Sequence, residues 1–180
     1  MQNSHPISSP TLANKHLLKL SSPTIDAKAY QWALGSLMYP MLVTQLDLTY
    51  TIAALGRHTA NPGPNHQHAL KCVFCYLWAT ADHQLVLGHN ATSVPTLLSY
   101  TNSNWASNID DHKSTSGYIF TLEGGTISWS SKKQPTVTLS STEAKYIASA
   151  HTIKEATWLR LLLSELRQDM SSPTTLHINN

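Results

Sequence analysis

The hydrophobic period of this chain changes at about Leu97, from helical spacing before it to strand-like runs after it. A fold must therefore accommodate an α-helical part followed by a sheet-containing part. Over residues 29–80 the pattern is helical. Leu34, Leu37, Met38 and Met41 fall at i, i+3, i+4 and i+7, and Tyr50, Ala53, Ala54 and Arg57 form a second segment. Asn61-Pro62-Gly63-Pro64 is a strong break. A third helix is expected over about 65–78, with Ala69, Val73, Tyr76 and Leu77 on its apolar side. Residues 1–28, rich in Ser, Pro, Thr and Asn, read as a tail or linker, and 81–95 as a polar connection with some strand character.

Beyond Leu97, strands are expected at 97–102, 114–122 and 125–130, the last two joined by the turn signal Glu123-Gly124-Gly125. A long helix is expected over 141–166, opened by the capping-box pattern Ser140-x-x-Glu143. Ile147, Ala150, Trp158, Leu161 and Leu162 recur along it at helical spacing, and Tyr146, Trp158 and the leucine run are assigned to the core. A fourth strand follows at 174–178. Three strands, a helix and a fourth strand are the opening of an α/β sheet domain.

Composition narrows the function classes. Only 12% of residues are charged, against about 25% in typical soluble domains, while 10 His and 5 Trp are many for 180 residues. The net charge of +2 announces no broad basic surface, and highly charged disorder is excluded. Cys72 and Cys75 define no disulfide framework. The first residues lack a secretory pattern. The most apolar stretch, 34–55, is interrupted by Pro40, Gln45 and Asp47, so no membrane span is expected. The expectation is a soluble intracellular chain, with its oligomeric state open.

Several side chains invite chemistry. His66, His68, Cys72 and Cys75 offer nitrogen and sulfur donors that suit zinc, against burial as ordinary core or surface residues. Lys113, Lys132 and Lys133 could meet phosphates or lie on plain solvated surface. Trp105 and Trp129 could stack on bases or fill a core. Glu143, third in a capped helix, has a structural role available in stabilising the helix start.

Three ordered strings carry a resemblance: Ser114-Thr-Ser-Gly-Tyr118, Ile127-Ser-Trp-Ser-Ser-Lys-Lys-Gln-Pro135 and Leu139-Ser-Ser-Thr-Glu-Ala-Lys-Tyr146. With Lys154-Glu-Ala-x-Trp-Leu-Arg160, they resemble the RNase H region of copia-type retrotransposon polyproteins. Upstream, Leu34-Gly-Ser-Leu-Met-Tyr39 and the helix from His66 to Leu77 are similar to the segment joining reverse transcriptase to RNase H. The resemblance covers about 30–180 and implies a helical reverse transcriptase connection remnant at 29–80 and an RNase H-like domain at 96–180. The implied α/β fold is a mixed sheet of three antiparallel strands, a helix and a parallel strand. The family's second helix and last strand would lie beyond residue 180, so the domain is expected to be truncated. The polymerase's Tyr-x-Asp-Asp core is absent.

The implied activity is hydrolysis of RNA in RNA–DNA hybrids by two Mg²⁺ ions, which clamp the attacking water and the leaving oxygen. No membrane or small-molecule cofactor is implied. Where the family usually reads Tyr-Ser-Asp-Ala-Asp-Trp-Ala, this chain reads Tyr100-Thr-Asn102-Ser-Asn104-Trp105-Ala106. Asn102 thus replaces the leading metal carboxylate. Glu143 stands where the family has its second carboxylate, and Asn179 replaces the Asp of an Asp-Asn pair. Glu143 is then the one acidic metal ligand left, Mg²⁺ binding is expected to be weak or absent, and the copy is expected to be inactive. A non-catalytic hybrid-binding module and a zinc-binding interaction protein are the alternatives.

The departures share a direction. Relative to the family pattern, Asn stands for Asp at 102, 104, 108 and 179, Ser for Gly at 107, Lys for Glu at 145, and His for Arg at 112. Gln45, Cys72, Cys75 and Trp78 stand where basic residues are common. Single C→T or G→A transitions can produce such changes, with Trp78 fitting if the ancestor was Arg. This is the expected mark of a copy degraded by cytosine deamination. Coding DNA with an even mixture of transitions and transversions would sink that expectation.

Overall fold

The computed structural model describes residues 5–11, 17–88 and 96–179. Parts of the expected tail and connection, and Asn180, lie outside the described residues. The chain divides into two compact units, Met1–Gln84 and Leu85–Asn180.

The first unit is helical. Helix α1 (Ala27–Val43) begins at Asp26, whose Oδ1 accepts the Lys28 and Ala29 amides at 2.9 and 3.3 Å. This satisfies two of the amides that a helix start leaves unpaired. A 3₁₀ turn, Leu46–Leu48, leads into α2 (Thr49–Gly56). After Pro62 and Gly63, α3 (Pro64–Ala79) starts with Pro at its first position, where the missing N–H costs nothing. Tyr30, Leu34, Leu37, Leu48, Ile52, Leu55, Leu70 and Val73 are among the residues that form one buried cluster. The face expected for α3 is the one buried at Ala69, Val73 and Tyr76. In α2 it is displaced: Thr51, Ile52 and Leu55 are buried, while Tyr50 is exposed.

Two tyrosines anchor this core through their hydroxyls. Tyr30 donates to Leu55 O at 3.0 Å, and burial pushes its pKa up to about 12. Tyr76 donates to the Asp47 carboxylate, and that hydrogen bond, with burial and the carboxylate's charge, raises its pKa to about 12.

The second unit is an α/β fold. Strands β1 (Leu97–Asn104), β2 (Thr115–Leu122) and β3 (Gly125–Lys133) are antiparallel neighbours. Helix α4 (Ser141–Glu165) crosses to β4 (Thr175–Ile178), which pairs parallel with β1. The order β3-β2-β1-β4 is a mixed four-stranded sheet consistent with an RNase H-like fold. The hairpin between β2 and β3 turns on Glu123 and Gly124, at φ of 50° and 82°. Two positive φ values in a two-residue loop match the twist of the flanking strands. Gly125 is required for a different reason, since a Cβ there would lie 2.8 Å from Leu87 Cα and 2.9 Å from Val86 O. Within the described part of the connection, 81–88, the expected strand character does not materialise.

The buried face of α4 corrects the sequence expectation. Ala144, Ala148, Ser149 and Thr152 make its buried face one of small residues until the last turns, where Leu159 and Leu163 join it. Tyr146, Trp158 and Leu161 are 73%, 55% and 61% exposed. The reason is close approach: the helix lies against β1 where small residues let backbones meet. There Thr152 Oγ1 bonds Thr101 Oγ1 at 2.9 Å and Ala148 O at 2.8 Å.

Candidate functional site

The parallel pairing of β4 with β1 brings two of the candidate residues together. Thr101 is in register with Ile178, and the Asn179 amide donates to Thr101 O at 3.3 Å. Asn102 and Asn179 are the next residues along these two neighbouring strands, at their carboxyl ends, and both are exposed. Asn102 Oδ1 accepts the Ser103 amide at 2.8 Å.

The first turn of α4, which carries Glu143, lies near the same end of the sheet. Gln134, buried between the elements, donates through Nε2 to Ser116 Oγ at 2.8 Å and to Ala144 O at 2.9 Å. Ser116 is paired with Ser103, the neighbour of Asn102. Gln134 therefore ties the first turn of α4 to β2 at Ser116, next to the carboxyl-terminal part of β1. The helix start is capped as its sequence implies, with the Glu143 amide donating to Ser140 Oγ at 3.1 Å. The Glu143 carboxylate accepts the Leu139 amide at 2.7 Å, one residue earlier than a capping box requires. Sequence reasoning singled out Glu143 but missed Gln134, which stood inside a quoted motif without an assigned role.

The three lysines do not converge. Lys132 and Lys133 are adjacent in β3 and so point to opposite faces of the sheet. Lys133 is held by Asp111, Nζ to Oδ2 at 2.7 Å. Partial burial pushes the Asp111 carboxyl up, but hydrogen bonds from Lys133, Asn108 and the Lys113 amide outweigh it and hold the group below the usual carboxylate range. Lys132 is exposed, and Lys113 is half-buried. Trp105 is half exposed and donates to Thr138 O at 3.2 Å, while Trp129 is half-buried on β3.

The zinc candidates are also separated. His66 is buried and stacked on His58 at 4.1 Å, and its Nδ1 accepts the Gly63 amide at 2.9 Å. His68 and Cys72 meet at 3.9 Å on the exposed side of α3. Among the described residues, no group of three or more His, Cys, Asp or Glu side chains is arranged to hold a metal ion. Nor is any helix there long and apolar enough to cross a membrane.

The sequence is similar to those of several known proteins. Over 173 residues the chain is 41% identical to the retrovirus-related Pol polyprotein from transposon TNT 1-94 of Nicotiana tabacum, covering 92% of this chain and 13% of that one. Over 181 residues it is 37% identical to the Pol polyprotein from transposon RE2 of Arabidopsis thaliana, covering 100% of this chain and 12% of that one. Over most of its length the chain is thus similar to segments of copia-type retrotransposon Pol polyproteins. It spans only 13% and 12% of the length of these two polyproteins. A shorter relative of this Pol segment is the secreted RxLR effector protein 161 of Plasmopara viticola, 42% identical over 130 residues, covering 72% of this chain and 90% of that one. No family model and no solved structure matches the chain.

Proposed function

We propose that this Pol-family segment joins a reverse transcriptase connection remnant to an RNase H-like domain that no longer hydrolyses RNA in RNA–DNA hybrids. One observation carries the reading. Asn102 and Asn179 are neighbours near the carboxyl ends of two paired parallel strands, where the resemblance expects metal carboxylates. The donor set does not fit two Mg²⁺ ions. Hard dications held close together need carboxylate oxygens to offset their mutual repulsion. Asn102 and Asn179 offer neutral amides, and the Glu143 carboxylate accepts a backbone amide at the helix start.

Retention of hybrid binding without cleavage is a second reading, supported by the exposed Lys132; Lys133 is already neutralised by Asp111. The test is cleavage of an RNA–DNA hybrid with Mg²⁺ or Mn²⁺, on the unsubstituted chain and on the Asn102→Asp/Asn179→Asp variant, with a gel shift on the same hybrid. No cleavage by the unsubstituted chain is expected. Metal-dependent cleavage that Glu143→Gln abolishes would overturn the proposal, and a hybrid-selective shift would establish the second reading.

A further inference from the structure

The hydrogen bond at Asn102 sets up a reaction within the chain itself. The Ser103 amide nitrogen lies 2.8 Å from Asn102 Oδ1. Oδ1 is bonded directly to Cγ, so this nitrogen is held beside the side-chain carbon it must attack to close a five-membered ring. The same bond orients the side chain. Because Oδ1 is the acceptor, Nδ2 is the branch turned away from the amide, where a leaving group belongs.

Three features select this asparagine. It is exposed, so water and hydroxide reach it. Its partner in register on β2 is Gly117, which brings no side chain over it. It is followed by Ser103, the smallest residue that follows any asparagine among the described residues. Asn61 is followed by Pro62, which has no amide hydrogen to lose, and its own Nδ2 donates to Leu20 O at 3.0 Å. Asn65, Asn104 and Asn108 are followed by His66, Trp105 and Ile109, whose bulk crowds the nitrogen, and Asn108 also donates through Nδ2 to the Asp111 carboxylate. Asn179 is followed by the larger Asn180.

We propose that Asn102 is a site of spontaneous deamidation, with water as the sole co-reactant. Hydroxide takes the Ser103 amide proton, and the nitrogen adds to Asn102 Cγ. The Cγ–Nδ2 bond breaks, and Nδ2 leaves as ammonia with a proton from water. Water then opens the resulting succinimide on either side. Cleavage between nitrogen and Cγ leaves an aspartate in an unaltered backbone. Cleavage between nitrogen and the backbone carbonyl carbon leaves an isoaspartate, with the chain routed through Cβ and Cγ. One water is consumed and one ammonia released, and nothing is oxidised or reduced. Either product places a negative charge at a position where the proposed function puts a lost metal carboxylate. That consequence rests on the proposed function, whereas the ring closure rests on the placement of Ser103 beside Asn102.

The experiment is incubation of the full chain at neutral and mildly alkaline pH, followed by ion exchange and peptide mapping with tandem mass spectrometry. A more acidic species one dalton heavier should accumulate, with the gain at position 102, and an isoaspartyl methyltransferase should label part of it. Conversion should run several times faster than at Asn104 or Asn108 and should quicken as pH rises. Ser103→Gly should speed it. Ser103→Val, which suits a strand but crowds the nitrogen, should slow it several-fold, and Asn102→Asp supplies the elution standard. Position 102 left unmodified over a time in which a free peptide of residues 100–106 converts would overturn the proposal. So would equal rates in Ser103→Gly and Ser103→Val, or conversion at Asn104 or Asn108 that outpaces position 102. None of these readouts involves metal or hybrid, so they stand apart from the cleavage assay of the proposed function.

Discussion

Restoring the acids at the two strand ends should make the protein less stable on its own and newly responsive to Mg²⁺. In Asn102→Asp/Asn179→Asp, two carboxylates would stand on neighbouring parallel strands, whose backbones are spaced about 4.8 Å apart. Unit charges about 5 Å apart repel by roughly 0.8 kcal/mol at the dielectric constant of water and roughly 3 kcal/mol at an effective value of about 20. Both positions are exposed, so the lower end applies, and about 1 kcal/mol is expected at low ionic strength. For a unit of about a hundred residues this lowers Tm by roughly 4–8 °C.

Mg²⁺ should reverse the loss in the variant, because an ion that binds the folded state alone stabilises it by about 1.4 kcal/mol at ten times its Kd. The unsubstituted chain should show no matching gain. The assay is a thermal melt of both proteins at low ionic strength, with Mg²⁺ or with NaCl at equal ionic strength. The salt control removes general screening, which weakens any exposed repulsion. Equal responses of the two proteins to Mg²⁺ would refute the argument. So would a variant as stable as the unsubstituted chain at low salt, because the two residues would then not be neighbours.

Three further perturbations follow from the packing. Gly125→Ala should cost about 1–3 kcal/mol, read as a lower urea midpoint, because its Cβ would meet the backbone of Val86 and Leu87 within 3 Å. Thr152→Val keeps shape but deletes the bonds to Thr101 Oγ1 and Ala148 O, a loss of about 1 kcal/mol in the same measurement. Stability of the helical unit should fall between pH 10 and about 12. Tyr30 and Tyr76 hold their protons to about 12 in the folded chain, whereas the unfolded chain releases them near 10, so their contribution is complete below 10 and lost as pH rises. Tyr30→Phe should flatten that decline in an alkaline melt.

The elements were legible where a local rule acts alone. The Glu123-Gly124 hairpin, the Ser140 cap and the apolar side of α3 each depend on residues a few positions apart, and each is found as expected. The face of α4 was not legible, because periodicity counts large apolar residues. Contact with the sheet instead selects Ala144, Ala148 and Thr152, one of them polar, and leaves Trp158 and Leu161 outside. The buried Ser99 and Thr101 of β1 are hidden from a hydrophobic pattern for the same reason. At the site, the proximity of Asn102 to Asn179 depends on the parallel pairing of β4. The Lys133–Asp111 ion pair joins residues 22 positions apart. Neither is written in local spacing.

On the proposed reading, the replaced positions show how such a chain keeps its fold while losing its chemistry. The residues that depart from the family pattern, at 45, 72, 75, 78, 102, 104, 107, 108, 112, 145 and 179, are all exposed or half-buried; none is in a buried core. Substitutions at such sites usually change stability by less than about 0.5 kcal/mol, so they can accumulate without unfolding either unit. Function has no such tolerance. A metal site needs its few charges at the strand ends, and replacing carboxylate by amide there removes the attraction for a dication while preserving nearly the same shape. Charge at the surface is thus the first property that random replacement can remove without cost to folding. On that reading, the low charge of this chain and its asparagines at 102 and 179 follow from the same physical asymmetry.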